Sequence, residues 1–196
     1  MGDLIVPLVV FAVVGSLSPG PNNVLVTASG TAFGFSRSVP QIVGVAIGFA
    51  AMVMAVGLGL TQVIGAYPEI HRWLRLVGAA YLITLAARIA LSGGPGTSPA
   101  LRRPLGFFEA ALFQWVNPKA WTLVLGVVAA FTTVGGNLTL ELALIALVFV
   151  LAILPSLALW CLFGVAIARF LSSRARRIAN LVLAGLVVAS VAMLFL

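Results

Sequence analysis

The chain has 196 residues, of which 62% are hydrophobic and 8% charged, against about 25% charged in an ordinary soluble domain. So few charges cannot cover a water-facing surface, and the bilayer is the expected solvent for most of the chain. The net charge of +7 does not indicate nucleic acid: the basic residues, all arginine except Lys119, sit at the ends of apolar runs, and no polar face carries them.

Six apolar segments follow in order, each near the twenty residues that a spanning helix needs. The first runs from Leu4 to Ser29 and is interrupted at Ser18-Pro19-Gly20-Pro21. It has no basic leader or cleavage pattern before it, so it is read as a helix that stays. The second runs from Val39 to Ala66 and contains Gly44 and Gly48, a spacing that permits close helix approach within or between monomers. The third runs from Trp73 to Leu91. The fourth runs from Phe107 to Val134 and breaks at Asn117-Pro118. The fifth, Leu142 to Phe170, carries Pro155, and the sixth runs from Ile178 to Leu196. These runs are continuously apolar, without the alternation of barrel strands, so the expected fold is all-α.

The Gly- and Pro-rich loop 92–104 divides a single transmembrane domain into two halves, 1–91 and 105–196. Three segments per half place the halves in opposite senses across the bilayer, the arithmetic of an inverted repeat. Arg37, Arg88, Arg102, Arg103, Arg169, Arg174, Arg176 and Arg177 fall on one side, against Arg72 and Arg75 on the other. The arginine-rich side is expected in the cytoplasm, with both termini outside.

The first segment of each half is broken at proline with asparagine beside it: Ser18-Pro19-Gly20-Pro21-Asn22-Asn23, and Asn117-Pro118-Lys119. Proline lacks an N–H and clashes with the carbonyl four residues back. Pro19 and Pro21 therefore free the carbonyls of Gly15 and Leu17, and Pro118 that of Gln114. Ser18 and Asn117 are expected as N-caps, with half-helices starting at Pro19 and Pro118. A half-helix N-terminus within a membrane suits a carboxylate, and freed carbonyls suit an ammonium, so the two breaks together would hold a zwitterion. Lys119 adds a full charge. It costs about 2.5–3.5 kcal/mol on insertion scales, so it should face a cavity or a partner. The plainer alternative is that such prolines only kink their helices.

Glu109 is either a coupling-proton carrier, or a residue that sits at the membrane interface or pairs with Arg102, Arg103 or Lys119. Gln114 lies close before the second break. The single cysteine, Cys161, excludes an internal disulfide and a multi-cysteine metal site. No nucleotide-binding loop or enzymatic constellation is present in the sequence, and no cofactor is expected.

The sequence resembles the lysine-exporter/RhtB family of bacterial amino-acid exporters over essentially its whole length. The resemblance is carried by Leu17-Ser-Pro-Gly-Pro-Asn-Asn23, Gly44-Val-Ala-Ile-Gly-Phe49, Gly78-Ala-Ala-Tyr-Leu82, Leu85-Ala-Ala-Arg88 and Phe113-Gln-Trp-Val-Asn-Pro-Lys-Ala120. It implies secondary transport of amino acids out of the cell, driven by a proton or ion gradient, through the residues flanking Pro19, Pro21 and Pro118. Ser38-Val39-Pro40 departs from the family pattern after the first span. With only Asp3, Glu69, Glu109 and Glu141 as acids, a neutral cargo such as threonine, homoserine, cysteine or a leucine-like amino acid is favoured over lysine. The expected partners are the amino acid, the bilayer of the bacterial inner membrane and H+ as coupling ion. Homo-oligomerisation is left open. A passive small-solute channel and a non-transporting scaffold are the competing functions; a channel needs a continuous polar lining, and a scaffold has no use for paired broken helices.

Overall fold

The computed structural model describes residues 4–60, 68–91, 103–133, 135–170 and 172–192, which are helical apart from short connections. Helix α1 (Ile5–Leu17) and α2 (Pro21–Phe33) meet at a 52° bend. Gly34, at φ 80°, turns the chain directly into α3 (Phe35–Ala55), and a π turn, Val56–Leu60, follows with Gly59 at φ 114°. These are positive-φ positions that glycine occupies without strain. Then come α4 (Pro68–Ala90), α5 (Phe107–Phe113) with the 3-10 turn Gln114–Val116, α6 (Pro118–Phe131), α7 (Leu138–Phe170) and α8 (Ser173–Ala192).

The six expected segments therefore correspond to α1–α2, α3, α4, α5–α6, α7 and α8, with shifted bounds: the second begins at Phe35 and the third at Pro68. Among the described residues, two single helical stretches, Phe35–Gly59 and Leu138–Phe170, are long and apolar enough to cross a membrane, and α1–α2 qualifies as a bent pair. The apolar stretches of the other segments are shorter: Leu76–Ala87, Phe107–Val116, Pro118–Phe131 and Arg177–Ala189. The end of the second segment beyond residue 60, the loop 92–102 with Arg102, and residues 193–196 lie outside the described residues, as do the side chains of Arg72, Arg75, Arg88 and Arg176.

Side-chain burial fits a bilayer solvent. On α1, Leu8, Ala12 and Gly15 face inward while Val6, Val10 and Val14 are exposed, Val6 at 71%. Leu140, Leu147, Leu151, Leu159 and Phe163 do the same on α7. Apolar faces this extensive are not left in water by soluble monomers.

The long helix α7 is the spine: α1, α2 and α3 all pack along it. Helix α5 packs on α3, and α4 packs on α8. One core joins α1, α3, α6 and α7 around Phe49, Met52, Val124 and Phe149, with the Phe49 and Phe149 rings stacked at 4.7 Å. A second core joins α2, α4, α5 and α8 around Leu25, Leu82, Phe113 and Val187.

Glycine makes the two tightest crossings possible. A Cβ at Gly30 would strike the Cys161 carbonyl, and one at Gly164 the Thr27 carbonyl, on the α2–α7 face. Across this face Thr27 and Thr31 donate to the carbonyls of Trp160 and Gly164, both at 3.1 Å. Gly44 and Gly48 both face α5, where a Cβ on Gly48 would lie 2.5 Å from the Ala111 Cα. The small-residue pair is thus spent on packing within the chain.

Overpacking backbone against backbone costs typically about 1–3 kcal/mol. Gly48→Ala and Gly164→Ala should each lower the melting temperature of the purified protein. Gly185→Ala, where an added Cβ meets nothing within 4 Å, should be neutral or stabilising; thermal unfolding in detergent checks the contrast.

Candidate functional site

The first break is longer than proline alone dictates. Helix α1 ends with Ser18 in extended conformation, and α2 starts at Pro21 with Gly20 at the N-cap position. This corrects the expected start at Pro19 with a Ser18 cap. Two prolines separated by one glycine leave the chain extended between them, and the second becomes the helical N1 residue. The second break matches expectation: Asn117 caps α6, its Oδ1 accepting the Lys119 N–H at 3.1 Å, with Pro118 at N1.

Five consecutive carbonyls at the first break, Gly15 to Pro19, look for donors, and side chains supply them. Ser18 Oγ donates to the Gly15 carbonyl at 3.0 Å. The Ser16 carbonyl receives Asn23 Nδ2 at 2.9 Å and Ser156 Oγ at 2.8 Å. Trp160 Nε1 donates to the Leu17 carbonyl at 3.2 Å. The Lys119 ammonium donates to the Ser18 carbonyl and reaches the Pro19 carbonyl at 3.4 Å. The second break is more nearly self-sufficient: the Gln114 carbonyl accepts the Asn117 N–H at 3.2 Å.

The two breaks, about a hundred residues apart in sequence, touch. Asn22 and Gln114 exchange amide hydrogen bonds of 2.9 and 3.2 Å, while Gln114 Nε2 also donates to the Ala110 carbonyl at 2.9 Å. Both carboxamides are held in one orientation, and Gln114 is fully buried.

Between the breaks lies a cavity of about 30 Å³, whose polar wall is Ser16, Asn22, Asn23, Asn117 and Lys119 and whose apolar wall includes Phe49 and Phe149. That is room for one or two waters. On the far side of the Lys119 and Leu123 side chains is a wider cleft of about 420 Å³, bounded by Ser18, Pro19, Gly20, Pro21 and Thr122 and by Leu186 and Ala189 of α8. Its size is within the range of small-molecule sites. The N-termini of α2 and α6 both abut the smaller cavity, so their first-turn N–H groups and dipoles favour a carboxylate there. Among the described residues, no acidic side chain lines either cavity.

Ser16 is the residue that sequence reasoning missed. Its hydroxyl is the one buried side-chain polar atom without a hydrogen-bond partner among the described residues, and it borders the small cavity. A buried unpaired hydroxyl is costly and calls for a reason. Ser156 and Trp160 were also missed. Their only signal is a spacing of four on one helix, which does not say what that face meets.

Glu109 is elsewhere. Its carboxylate accepts two hydrogen bonds from Arg103, at 2.7 and 2.8 Å, and one from the Gly106 N–H at 2.7 Å, at the start of α5. The pair is exposed, and Glu109 holds the Arg103 guanidinium above its ordinary pKa through the hydrogen bond and its charge. This is the pairing alternative, realised with Arg103.

A model of the family described as "LysE type translocator" matches residues 13–196. The chain is similar to the "Cysteine/O-acetylserine efflux protein" of Salmonella paratyphi A, 34% identical over 126 residues, or 63% of this chain and 62% of that protein. The protein of the same name from Klebsiella pneumoniae subsp. pneumoniae is 31% identical over 134 residues, 67% of this chain and 65% of its own. That from Escherichia coli O9:H4 is 32% identical over 126 residues, 63% and 62% respectively. The matched stretch thus spans less than two thirds of each of these relatives. No solved structure matches the chain.

The Asn22–Gln114 exchange predicts a measurable coupling. In a double-mutant cycle with Asn22→Leu and Gln114→Leu, unfolding free energies in detergent should deviate from additivity by about 0.6–1.7 kcal/mol, the range of interhelical bonds in membranes. Additive effects would show the bond to be energetically idle.

Proposed function

The chain belongs to the LysE type translocator family, and from that premise we propose that it exports small neutral amino acids across a bacterial inner membrane. The observation that carries the reading is the meeting of two Pro-Asn breaks around one small cavity, with the N-termini of α2 and α6 beside it and the Ser18 and Pro19 carbonyls held by the Lys119 ammonium. Such a site matches the two charges of a zwitterion. A cargo in the class of cysteine or O-acetylserine agrees with the relatives' printed names and with cavity walls that, among the described residues, offer a cationic side chain no carboxylate.

In this reading the six segments cross the membrane as two inverted halves, with spans one and four broken and both termini outside. The packing supports it: α1 lies on α7 and α5 lies on α3, so the first piece of each half rests on the middle helix of the other. Export proceeds by alternating access of the two halves, with the proton gradient as driving force. A channel reading is disfavoured because the apolar side chains of Phe49, Phe149 and Leu123 interrupt any polar lining.

In the site, the carboxylate lies at the N-termini of α2 and α6, with Ser16, Asn22, Asn23, Asn117 and Lys119 around it. The ammonium faces the carbonyls of the first break, between Ser18, Pro19, Gly20 and Pro21, while Gln114 and Pro118 hold the second break in register. The small cavity must widen to admit the cargo, and its widening is one half of the alternation.

Efflux from reconstituted vesicles loaded with labelled amino acids, with and without an imposed proton gradient, tests the function. Gradient-dependent loss of small neutral amino acids is expected, abolished by Asn117→Ala and Lys119→Ala. Loss of none of them from folded protein would contradict the reading. Because Glu109 is paired with Arg103 away from the cavity, Glu109→Gln should keep the gradient dependence. Ser16→Ala, which removes a hydroxyl bordering the small cavity, should weaken cargo affinity with the protein still folded; transport KM values beside unfolding curves check this.

A further inference from the structure

We infer that the carbonyl pair of Ser18 and Pro19 is a binding site for a primary ammonium group, which Lys119 fills in the empty protein and the cargo's α-ammonium takes over. The second half of this inference rests on the exporter reading; the first does not.

The five carbonyls of the break are not equivalent. Those of Gly15, Ser16 and Leu17 are held by neutral donors on fixed elements: Ser18, Asn23 with Ser156, and Trp160. Among the described residues, the carbonyls of Ser18 and Pro19 are met only by Lys119 Nζ, the end of a long flexible stem. Two adjacent carbonyls that take one ammonium present what a primary amine needs, since its three N–H donors can be shared between them. A quaternary ammonium, with no N–H, gains nothing from them.

The lysine is poorly placed for anything else. It is the second residue of α6, where the helix dipole disfavours a cation. The one ion pair among the described residues is Arg103–Glu109, so no carboxylate there balances it. The carbonyls are what hold the ammonium. Replacing one ammonium by another at the same carbonyls leaves the electrostatics nearly unchanged, which makes the exchange thermodynamically shallow. The displaced Lys119 then has the cargo's carboxylate as its new partner.

The same side chain separates the two cavities. Its stem lies over Gly20, where a Cβ would come 2.5 Å from Lys119 Cδ. Leu123, one turn later, lies over Gly15, where a Cβ would come 2.9 Å from Leu123 Cδ2. Lys119 and Leu123 border both the small cavity and the wide cleft. When Lys119 leaves the carbonyls, part of the wall between the cavities leaves with it. Binding of an ammonium-bearing cargo therefore opens the site, and the empty protein keeps it shut.

Chemical rescue tests this. Purified Lys119→Ala leaves the carbonyls vacant and a stem-shaped space of three carbons beside them. In thermal-shift and calorimetric titrations, n-propylammonium should bind the variant at least about tenfold more tightly than wild type, the scale of hydrogen bonds to a charged group. Tetramethylammonium should show no such gain, and n-propylammonium should compete with O-acetyl-L-serine on the variant. Equal responses of variant and wild type, an equal gain with tetramethylammonium, or non-competitive binding would overturn the inference. If Lys119→Ala does not fold, Lys119→Met keeps the stem volume and vacates only the nitrogen position, and the expected gain is then for ammonium. If n-propylammonium rescues the variant while no small amino acid binds either protein, the ammonium site stands and the exporter reading falls.

Discussion

A membrane protein must satisfy every backbone polar group from within itself, and everything particular to this chain follows from breaking that rule locally and then repairing it. Pro19 and Pro21 leave a run of carbonyls without helical partners. The repair comes from α2 itself, from α7 through Ser156 and Trp160, and from α6 through Lys119. The following helix and two elements distant in sequence are thereby tied to one irregular stretch. The glycines at the α2–α7 crossing serve the same end, because Ser156 and Trp160 of α7 reach the break only if these helices come close.

The repair is incomplete in two places, and both border cavities. The Ser16 hydroxyl has no partner among the described residues, and the Ser18 and Pro19 carbonyls are held there by the end of a long lysine side chain. A chain selected for stability alone would close both. Functional sites are where such local rules are left unsatisfied.

Much of this was legible in the sequence. Proline beside asparagine in the first segment of each half announced both breaks, and Asn117 is the cap that its residue type and the following proline imply. What local chemistry could not show was depth of interruption: one proline stops a helix at a definite point, whereas Pro-Gly-Pro allowed either proline to start α2, and the choice of Pro21 depends on tertiary partners for the carbonyls in between. The Asn22–Gln114 bond was out of reach because nothing local relates residues 92 positions apart. Glu109 was left with two roles because several basic residues lay within plausible range, and only folding of the chain around Gly106 brings Arg103 to it. Ser16 looked like any small residue of an apolar helix until its surroundings were known.

The most direct test of the account is a structure of the protein with O-acetyl-L-serine bound. The account predicts the amino acid between the two breaks, its carboxylate at the N-termini of α2 and α6 beside Ser16, its ammonium on the Ser18 and Pro19 carbonyls, and Lys119 moved off them. An amino acid bound elsewhere, with Lys119 still on those carbonyls and the small cavity no wider, would contradict it.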